Sequence, residues 1–328
     1  LCRDLFAAYE NNRMVVEKAA LKILPHLENE NGCLRRTQGL ARDICRYYLP
    51  SSTLANVGMT INARALEHEL DKLLSHPLQE VREIGAEIKS SAQTKVPTLI
   101  KYAAENPYLV DANNAFAMQD KAKPHPLQPT QWLELLAYDA DGENLVLAAL
   151  LFRFGQNDFE EYLREVQKMS GEEKTRLAHS LLGKLSIHDD PLRELEYAGI
   201  TLATTLDQGC FGELKRHRMM TLTPQPLTPL YGYAVPQMGN NSALETEFRT
   251  LMKRASDLYD KVAASINPDV ASYILPHAFN RRILIKMNLR SAYHLIQLRT
   301  ADRAHFAIRR VVCRLAEELA LVYPLFRP

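Results

Sequence analysis

Four consecutive basic residues, Lys215 to Arg218, are the part of this sequence whose types and spacing point most directly to chemistry. They close a predicted helix over 207–219 and precede a proline-rich loop, Met219 to Pro229. Successive helical residues point about 100° apart, so at least one of the four faces the protein or a ligand, where an unpaired charge is unfavourable. These residues alone leave two interpretations open: salt bridges within the protein, or a binding site for an anion.

A second set of polar residues occurs twice, at a constant offset of 226 positions. The two segments share seven identities over 26 aligned positions, where chance at ordinary amino-acid frequencies gives about one or two. Most matches are Pro, Asn, Arg, His or Asp rather than interchangeable apolar residues, so the sequence predicts an internal duplication. The matched pairs are Asp43/Asp269, Tyr47/Tyr273, Leu49/Leu275, Pro50/Pro276, Asn62/Asn288, Arg64/Arg290 and His68/His294.

Helices and short strands must position these residues. Alternating apolar residues predict strands near 131–138, 194–205 and 281–287. Four prolines in 221–238 predict an absence of regular structure there. Apolar periodicity predicts helices over 3–24, 33–48, 61–75, 78–105, 143–154, 158–169, 171–184, 207–219, 243–266, 288–300 and 302–321.

A boundary is predicted where this periodicity is lost. Residues 106–129 contain four prolines and predict a linker. Residues 1–105 then form the C-terminal part of a first domain, and residues 130–328 form a second. About forty residues precede the first repeated segment, against about 140 between the linker and the second. We therefore expect the beginning of the first domain to be absent from this sequence.

Composition bounds the class of protein. Hydrophobic residues make up 46% and charged residues 24%, as in an ordinary globular protein, and the net charge is +1. That balance predicts no global attraction to nucleic acid or to membranes. Five scattered cysteines without a CxxC pair argue against a disulfide framework or a metal site. The N-terminus does not look like a signal peptide, so a cytoplasmic location is expected.

In order along the chain, these motifs resemble the flavin-dependent thymidylate synthases. That family carries Arg-His-Arg, seven further residues and then Ser, followed by a loop and a long helix; Arg216, His217 and Arg218 match the triplet in that context. The tail motifs Leu275-Pro276, Asn288, Arg290 and Leu298-Arg299 are similar too, as is His188 with Pro191. The resemblance implies an α+β, helix-rich fold with tandem domains, the first one incomplete.

The resemblance also implies roles for individual residues. Arg299 is similar to the arginine that contacts and polarises the pyrimidine of dUMP, and Arg46 and Gln225 fall on positions that bind this substrate. For His68 and His294 an ordinary hydrogen-bonded helix histidine is an equal alternative. The implied flavin contacts are Arg216, His217, Arg218, Asn288, Arg290, His294, Asn62, Arg64 and His68.

Three departures weaken the nucleotide pocket of the second copy. The motif serine is Pro226, and the arginine before Leu-Pro is Ser272. The glutamine three residues before the motif arginine is Glu213. In the first copy, however, Arg46 occupies the position of Ser272. We therefore expect a composite site, to which one repeat contributes flavin contacts and the other nucleotide contacts.

The function implied is reductive methylation of dUMP to dTMP by an FAD-dependent methyltransferase. Methylenetetrahydrofolate would supply the carbon and NADPH the reducing equivalents, and a homo-oligomer, a dimer of tandem repeats, would mimic the tetramer of shorter members. Two alternatives stay open. The chain could bind flavin as a catalytically silent structural partner, or act as a flavoenzyme on another pyrimidine nucleotide.

Overall fold

The computed structural model describes residues 1–23, 30–117, 132–186, 189–238, 241–301 and 304–327. It has an α+β fold in which helices predominate, as the sequence predicted. The tandem arrangement of domains stays a prediction. Among the described residues, no helix combines the length and the apolar character needed to cross a membrane.

The helices follow most of the predicted ranges. Helix α4 ends at Gln93 rather than at 105, and α9 ends at Leu214 rather than at 219. The helices are α1 (Cys2–Ile23), α2 (Glu30–Cys45), α3 (Ala63–Leu74), α4 (Gln79–Gln93), α5 (Pro107–Ala117), α6 (Gly142–Phe154), α7 (Phe159–Lys168), α8 (Gly171–Leu182), α9 (Gln208–Leu214), α10 (Ser242–Ser265), α11 (Pro268–Ser272), α12 (Leu289–Arg299) and α13 (Phe306–Val322).

Four strands form one antiparallel sheet in the order β1-β2-β4-β3. They are β1 (Leu133–Tyr138), β2 (Gly199–Asp207), β3 (Thr221–Pro224) and β4 (Asn280–Asn288). The prediction that 221–238 lacks regular structure is wrong for β3. An edge strand needs hydrogen bonds on one side only, so it tolerates Pro224 at its end. The predicted strand 194–205 starts late, because residues Arg193–Tyr197 form a 3-10 turn.

The main core lies against the sheet. Alternate residues of β2 and β4 are buried, and cross-strand partners such as Leu202 and Ile285 share that face. Leu295 of α12 and Val312 of α13 belong to the same cluster of buried side chains. Helix α9 follows β2 and helix α12 follows β4, so the sheet fixes where these two helices begin.

The chain divides into two compact units. The first comprises the described residues of Leu1–Pro50, Pro126–Ser256 and Leu275–Pro328, and the second those of Ser51–His125 and Asp257–Ile274. Within the second unit, the Ala104 amide donates to the Asp71 carboxylate over 3.0 Å. Helix α5 lies inside the predicted linker 106–129, of which residues 118–129 lie outside the described residues.

Candidate functional site

Helix α9 organises the basic cluster. It begins at the end of β2, where the buried Asp207 carboxylate accepts a hydrogen bond from the Cys210 amide over 2.7 Å. Cys210 and Leu214 are buried, which holds the short helix against the core. Because α9 ends at Leu214, the four basic residues lie just beyond its C-terminus, where the helix dipole favours cations.

Glu213 is the centre of what we call the α9 cluster, formed by Arg46, Glu213, Arg216, His217 and Arg299. Its carboxylate lies 3.0 Å from Nη1 of Arg299, 3.4 Å from Nη2 of Arg216 and 3.8 Å from Nη1 of Arg46. The Glu213 side chain is only 14% exposed, whereas that of Arg216 is 67% exposed. One part-buried carboxylate therefore balances three guanidinium groups that come from distant parts of the chain.

Arg299, at the C-terminal end of α12, is held on three sides. Its Nε donates to Nε2 of His217 over 2.8 Å, and its Nη1 donates to the Glu213 carboxylate over 3.0 Å. Its Nη2 donates to the Glu213 backbone carbonyl over 3.3 Å. These contacts fix the plane of the guanidinium group, because a planar fork cannot rotate without losing all of them.

His217 is neutral at physiological pH. Burial first, and then the nearby positive charge of Arg299, lower the pKa of His217 from 6.5 to about 4. Because Nε2 accepts a hydrogen bond from Arg299, the ring proton resides on Nδ1. His217 therefore offers one Nδ1–H donor and adds no charge to the cluster.

Arg46 reaches the same helix from the turn after α2. Its Nη2 donates to the Gly209 carbonyl over 3.4 Å, and its Nη1 lies 3.7 Å from the Asp43 carboxylate. A Cβ atom on Gly209 would lie 3.1 Å from the Asp207 carboxylate and 3.5 Å from Nε of Arg46, so a glycine leaves this approach open. The Arg46 Nε–H is buried and has no acceptor among the described residues.

Buried polar groups surround Arg46. The pKa of Asp207 is raised by burial, and that of Tyr47 is raised by burial and by the adjacent Asp207 charge. Burial and the Arg46 charge lower the pKa of His305 to about 3. The rings of Tyr47 and His305 stack with their centroids 6.1 Å apart. Arg46 therefore enters a region with few compensating groups other than Asp43, Asp207 and Glu213.

The two Leu-Pro segments of the predicted repeat meet in the first unit. Pro50 and Pro276 form an isolated antiparallel bridge, and the His277 amide donates to the Leu49 carbonyl over 2.9 Å. The His277 carbonyl in turn accepts from the Gly209 amide over 3.1 Å. This pairing places the turn that carries Arg46 beside the start of α9.

The other predicted residues of the second copy lie along α12. Asn288 caps the helix by accepting from the Ser291 amide over 2.8 Å. Arg290 donates to the Pro191 carbonyl over 2.8 Å and pairs with Glu196 at 3.3 Å. The exposed His294 ring lies edge-on to His217, with the centroids 6.2 Å apart. His188, matched with Pro191 in the sequence, lies outside the described residues.

Asn62, Arg64 and His68 lie on α3 in the second unit. Asn62 caps this helix by accepting from the Ala65 amide over 2.9 Å, and all three residues are exposed. These three side chains therefore lie at a helix start that is exposed to solvent.

Gln225 and Arg218 are exposed. The Gln225 side-chain oxygen accepts from the Tyr231 hydroxyl over 2.7 Å, and its backbone carbonyl accepts from Arg281. Arg281 also donates to Gln208 on α9 and lies over the Phe211 ring at 4.7 Å. The loop after β3 is thus fastened to α9 through Arg281, which sequence analysis did not single out.

Glu213 and Asp43 are the other residues whose roles sequence analysis missed. Glu213 stood out only as a departure from a motif, and Asp43 only as a repeat identity. A signal existed for Glu213, because it lies three residues before Arg216, a spacing at which opposite charges pair on a helix. Its pairing with Arg46 and Arg299 had no sequence signal.

Comparisons with known proteins identify the family of this chain. The model of the family described as thymidylate synthase complementing protein matches residues 2–98 and 134–325. A flavin-dependent thymidylate synthase of Thermococcus onnurineus is 26% identical over 206 residues, which cover 60% of this chain and 74% of that protein.

Longer proteins match more of the chain. A UPF0159 protein of Chlamydia muridarum is 28% identical over 298 residues, which cover 87% of this chain and 56% of the relative. A UPF0159 protein of Thermoplasma acidophilum is 25% identical over 294 residues, covering 87% of this chain and 58% of the relative. The chain thus spans little more than half the length of these relatives.

Proposed function

This chain belongs to the family of thymidylate synthase complementing proteins, and on that premise we propose that it binds a flavin and serves the reductive methylation of dUMP to dTMP. FAD is the proposed cofactor, methylenetetrahydrofolate the carbon donor and NADPH the reductant. The relatives named flavin-dependent thymidylate synthases support the flavin. The reaction itself rests on the family resemblance and on the geometry around α9.

One observation carries the proposal. Arg46, from the first predicted repeat, and Arg299, from the end of the second, meet the motif residue Arg216 within 4 Å of one carboxylate, that of Glu213. These are residues to which the resemblance assigns contacts with substrate or flavin. A composite site built from both repeats requires such a convergence.

The residues beyond α9 fit an anionic flavin. Lys215 and Arg218 are exposed just beyond α9, so their charges are available to a diphosphate, and Arg216, which pairs with Glu213, is 67% exposed beside them. Neutral His217 keeps an Nδ1–H donor, and such a donor can hold a carbonyl or ring nitrogen. When bound, FAD would supply the hydride-transfer chemistry that the protein side chains lack.

Arg299 would orient the pyrimidine. Its guanidinium group is fixed by His217 and Glu213, so its remaining N–H groups point in set directions. A fixed positive charge beside a pyrimidine carbonyl stabilises negative charge that develops on the ring. Arg46 would take the position of a nucleotide contact, supported by its buried Nε–H, for which the described part of the chain provides no acceptor.

Two measurements test the proposal. The purified protein should be yellow and show flavin absorbance. It should also release tritium from C5-labelled dUMP when NADPH and methylenetetrahydrofolate are present. A colourless protein that neither binds added FAD nor releases tritium would refute the proposal.

Site-directed variants locate the flavin. Arg218→Ala should weaken FAD binding about tenfold, because one charge-assisted contact to a phosphate is lost. The matched control is Arg314→Ala, which removes a part-exposed arginine on α13 that pairs with Glu317. Equal FAD affinity in the two variants would contradict the placement of the flavin beyond α9.

A second candidate function is a flavin-binding partner without catalytic activity. The observation that favours it is the pairing of both Arg46 and Arg299 with Glu213, which occupies two groups that a nucleotide would need. Flavin colour without tritium release would support this alternative, or a flavoenzyme that acts on another pyrimidine nucleotide.

A further inference from the structure

We propose that Glu213 is the specificity-determining residue of this site, and that its carboxylate occupies the place of an anionic ligand between Arg46 and Arg299. The inference rests on the proposed function in that it concerns the same site. The site binds a nucleotide monophosphate weakly, because the phosphate must first displace the Glu213 carboxylate. A pyrimidine nucleoside has no phosphate and binds without this displacement.

The first argument is the state of Arg299. Each of its three nitrogens already donates to a protein acceptor, over 2.8 Å to His217 and over 3.0 Å and 3.3 Å to Glu213. Its side chain is only 17% exposed. Glu213 therefore holds Arg299, the proposed pyrimidine contact, so the Glu213 carboxylate lies beside the place of the nucleotide.

Charge gives the second argument. Arg46 is 25% exposed and forms ion pairs with two carboxylates, those of Asp43 at 3.7 Å and Glu213 at 3.8 Å. Glu213 is the one shared with Arg299, so its charge lies between the two guanidinium groups that the proposed substrate would need. His217, which is neutral, does not add a compensating positive charge.

Displacement of Glu213 leaves a part-buried carboxylate near the incoming phosphate. Like charges at short range repel strongly where water is partly excluded, and a buried charge that loses its partner is destabilised. Glutamine has the same shape and can still accept a hydrogen bond from Arg299, but it carries no charge. Glu213→Gln therefore removes the electrostatic obstacle while it leaves the packing nearly unchanged.

The test compares dUMP with deoxyuridine, its phosphate-free counterpart, by isothermal titration calorimetry. In the unmodified protein, dUMP should bind no more tightly than deoxyuridine. In Glu213→Gln, dUMP should bind at least about tenfold more tightly than in the unmodified protein, equivalent to ~1.4 kcal/mol, with deoxyuridine unchanged. Adding Arg46→Ala to Glu213→Gln should abolish that gain, because it removes the proposed phosphate contact.

Glu194→Gln is the matched control. The Glu194 side chain is 11% exposed, and both of its carboxylate oxygens accept from Nη1 of Arg153, over 3.0 Å and 3.2 Å, in the same unit as Glu213. This variant also removes a part-buried carboxylate from an arginine, but it lies outside the α9 cluster. Its affinity for dUMP should equal that of the unmodified protein, and a tenfold gain there would overturn the proposal.

Two further outcomes would also overturn it. One is a folded Glu213→Gln protein without a gain in dUMP affinity. The other is an unmodified protein that already binds dUMP more than tenfold tighter than deoxyuridine, and this result decides even if Glu213→Gln does not fold. Flavin absorbance of the same samples separates the two proposals, because loss of flavin refutes the proposed function while the nucleotide comparison still decides the role of Glu213.

Discussion

Helices α3 and α12 carry the same residue types at the same spacing and have different surroundings. Asn62, Arg64 and His68 on α3 match Asn288, Arg290 and His294 on α12. In both helices the asparagine is the N-cap and holds the amide three residues later, over 2.9 Å and 2.8 Å. The repeated residues therefore encode the start of a helix in each copy.

Beyond the cap the two helices differ. Leu289, Ala292, Leu295 and Ile296 of α12 are buried, whereas Leu70 is the buried residue that the structure describes in α3. Arg290 forms an ion pair and a backbone contact, while Arg64 is exposed. Only α12 continues to an arginine of the α9 cluster, Arg299. The repeated polar motif thus specifies local structure, and the apolar residues between its members decide whether the helix joins the α9 cluster.

Truncation of a buried apolar residue of α12 should lower the stability of the fold more than any other substitution proposed below. Leu295→Ala should destabilise the fold by about 3 kcal/mol, because Leu295 is 2% exposed and its removal leaves a cavity in the main core. Its counterpart at the repeat offset is Glu69, which pairs with Lys72 on the surface of α3. Glu69→Ala should change stability by less than about 0.5 kcal/mol. Chemical denaturation measures both, and similar losses would contradict the contrast between the two helices.

Sequence patterns predicted much of the fold because most elements are amphipathic. Helices α6, α7 and α10 lie within one residue of the predicted ends, and β4 lies where alternation placed it. Errors arose where tertiary contacts override local pattern. Residues Arg193–Tyr197 form a 3-10 turn that buries Glu194 and Leu195. The alternating residue types there led to the wrong prediction of a strand. Pro224 favoured a prediction of irregular structure, although it ends the edge strand β3.

The site could be predicted only in part. The resemblance named Arg46, Arg216 and Arg299, and the structure brings these three together at Glu213. Their common partner could not be predicted, since positions 46, 213 and 299 meet only through the pairing of strands and the bridge between Pro50 and Pro276. Residue spacing carries no information about ion pairs between such distant segments.

Acid should lower the free energy of unfolding of the protein through protonation of His217. The folded-state pKa of about 4 lies below the ordinary value of 6.5, so the unfolded chain binds more protons between these pH values. Stability should therefore fall as pH drops from 6.5 to 4, with a contribution from His217 of about 1–2 kcal/mol after allowance for its partial exposure.

Comparison of His217→Gln with the unmodified protein isolates this contribution, because the remaining histidines are common to both. The difference in unfolding free energy between pH 8 and pH 4 should be smaller in the variant. At pH 8 the ring is neutral in both states, so titration of His217 makes no contribution there. Parallel stability curves across this range would show that His217 does not lose its proton on folding.

Arg290 offers a test of intermediate size. Arg290→Ala should cost about 1–1.5 kcal/mol, because it removes a hydrogen bond to the Pro191 carbonyl and leaves Glu196, which is 26% exposed, with one arginine fewer. Arg64→Ala should lie within about 0.5 kcal/mol of the unmodified protein. Denaturant titration checks both values. An equal cost at the two positions would mean that Arg64 has a partner of comparable strength.

The smallest expected difference lies at the caps, where the two helices should behave alike. Asn62→Ala and Asn288→Ala each remove a hydrogen bond to the third amide of a helix, which is worth about 1 kcal/mol. Hydrogen exchange should accelerate about fivefold at the amides of Ala65 and Ser291, respectively. Asn→Asp at either position retains an oxygen acceptor and should leave exchange nearly unchanged. A large response at Ser291 with none at Ala65 would show that packing, and not the repeated asparagine, orders the start of α12, so that the two copies would not share even their caps.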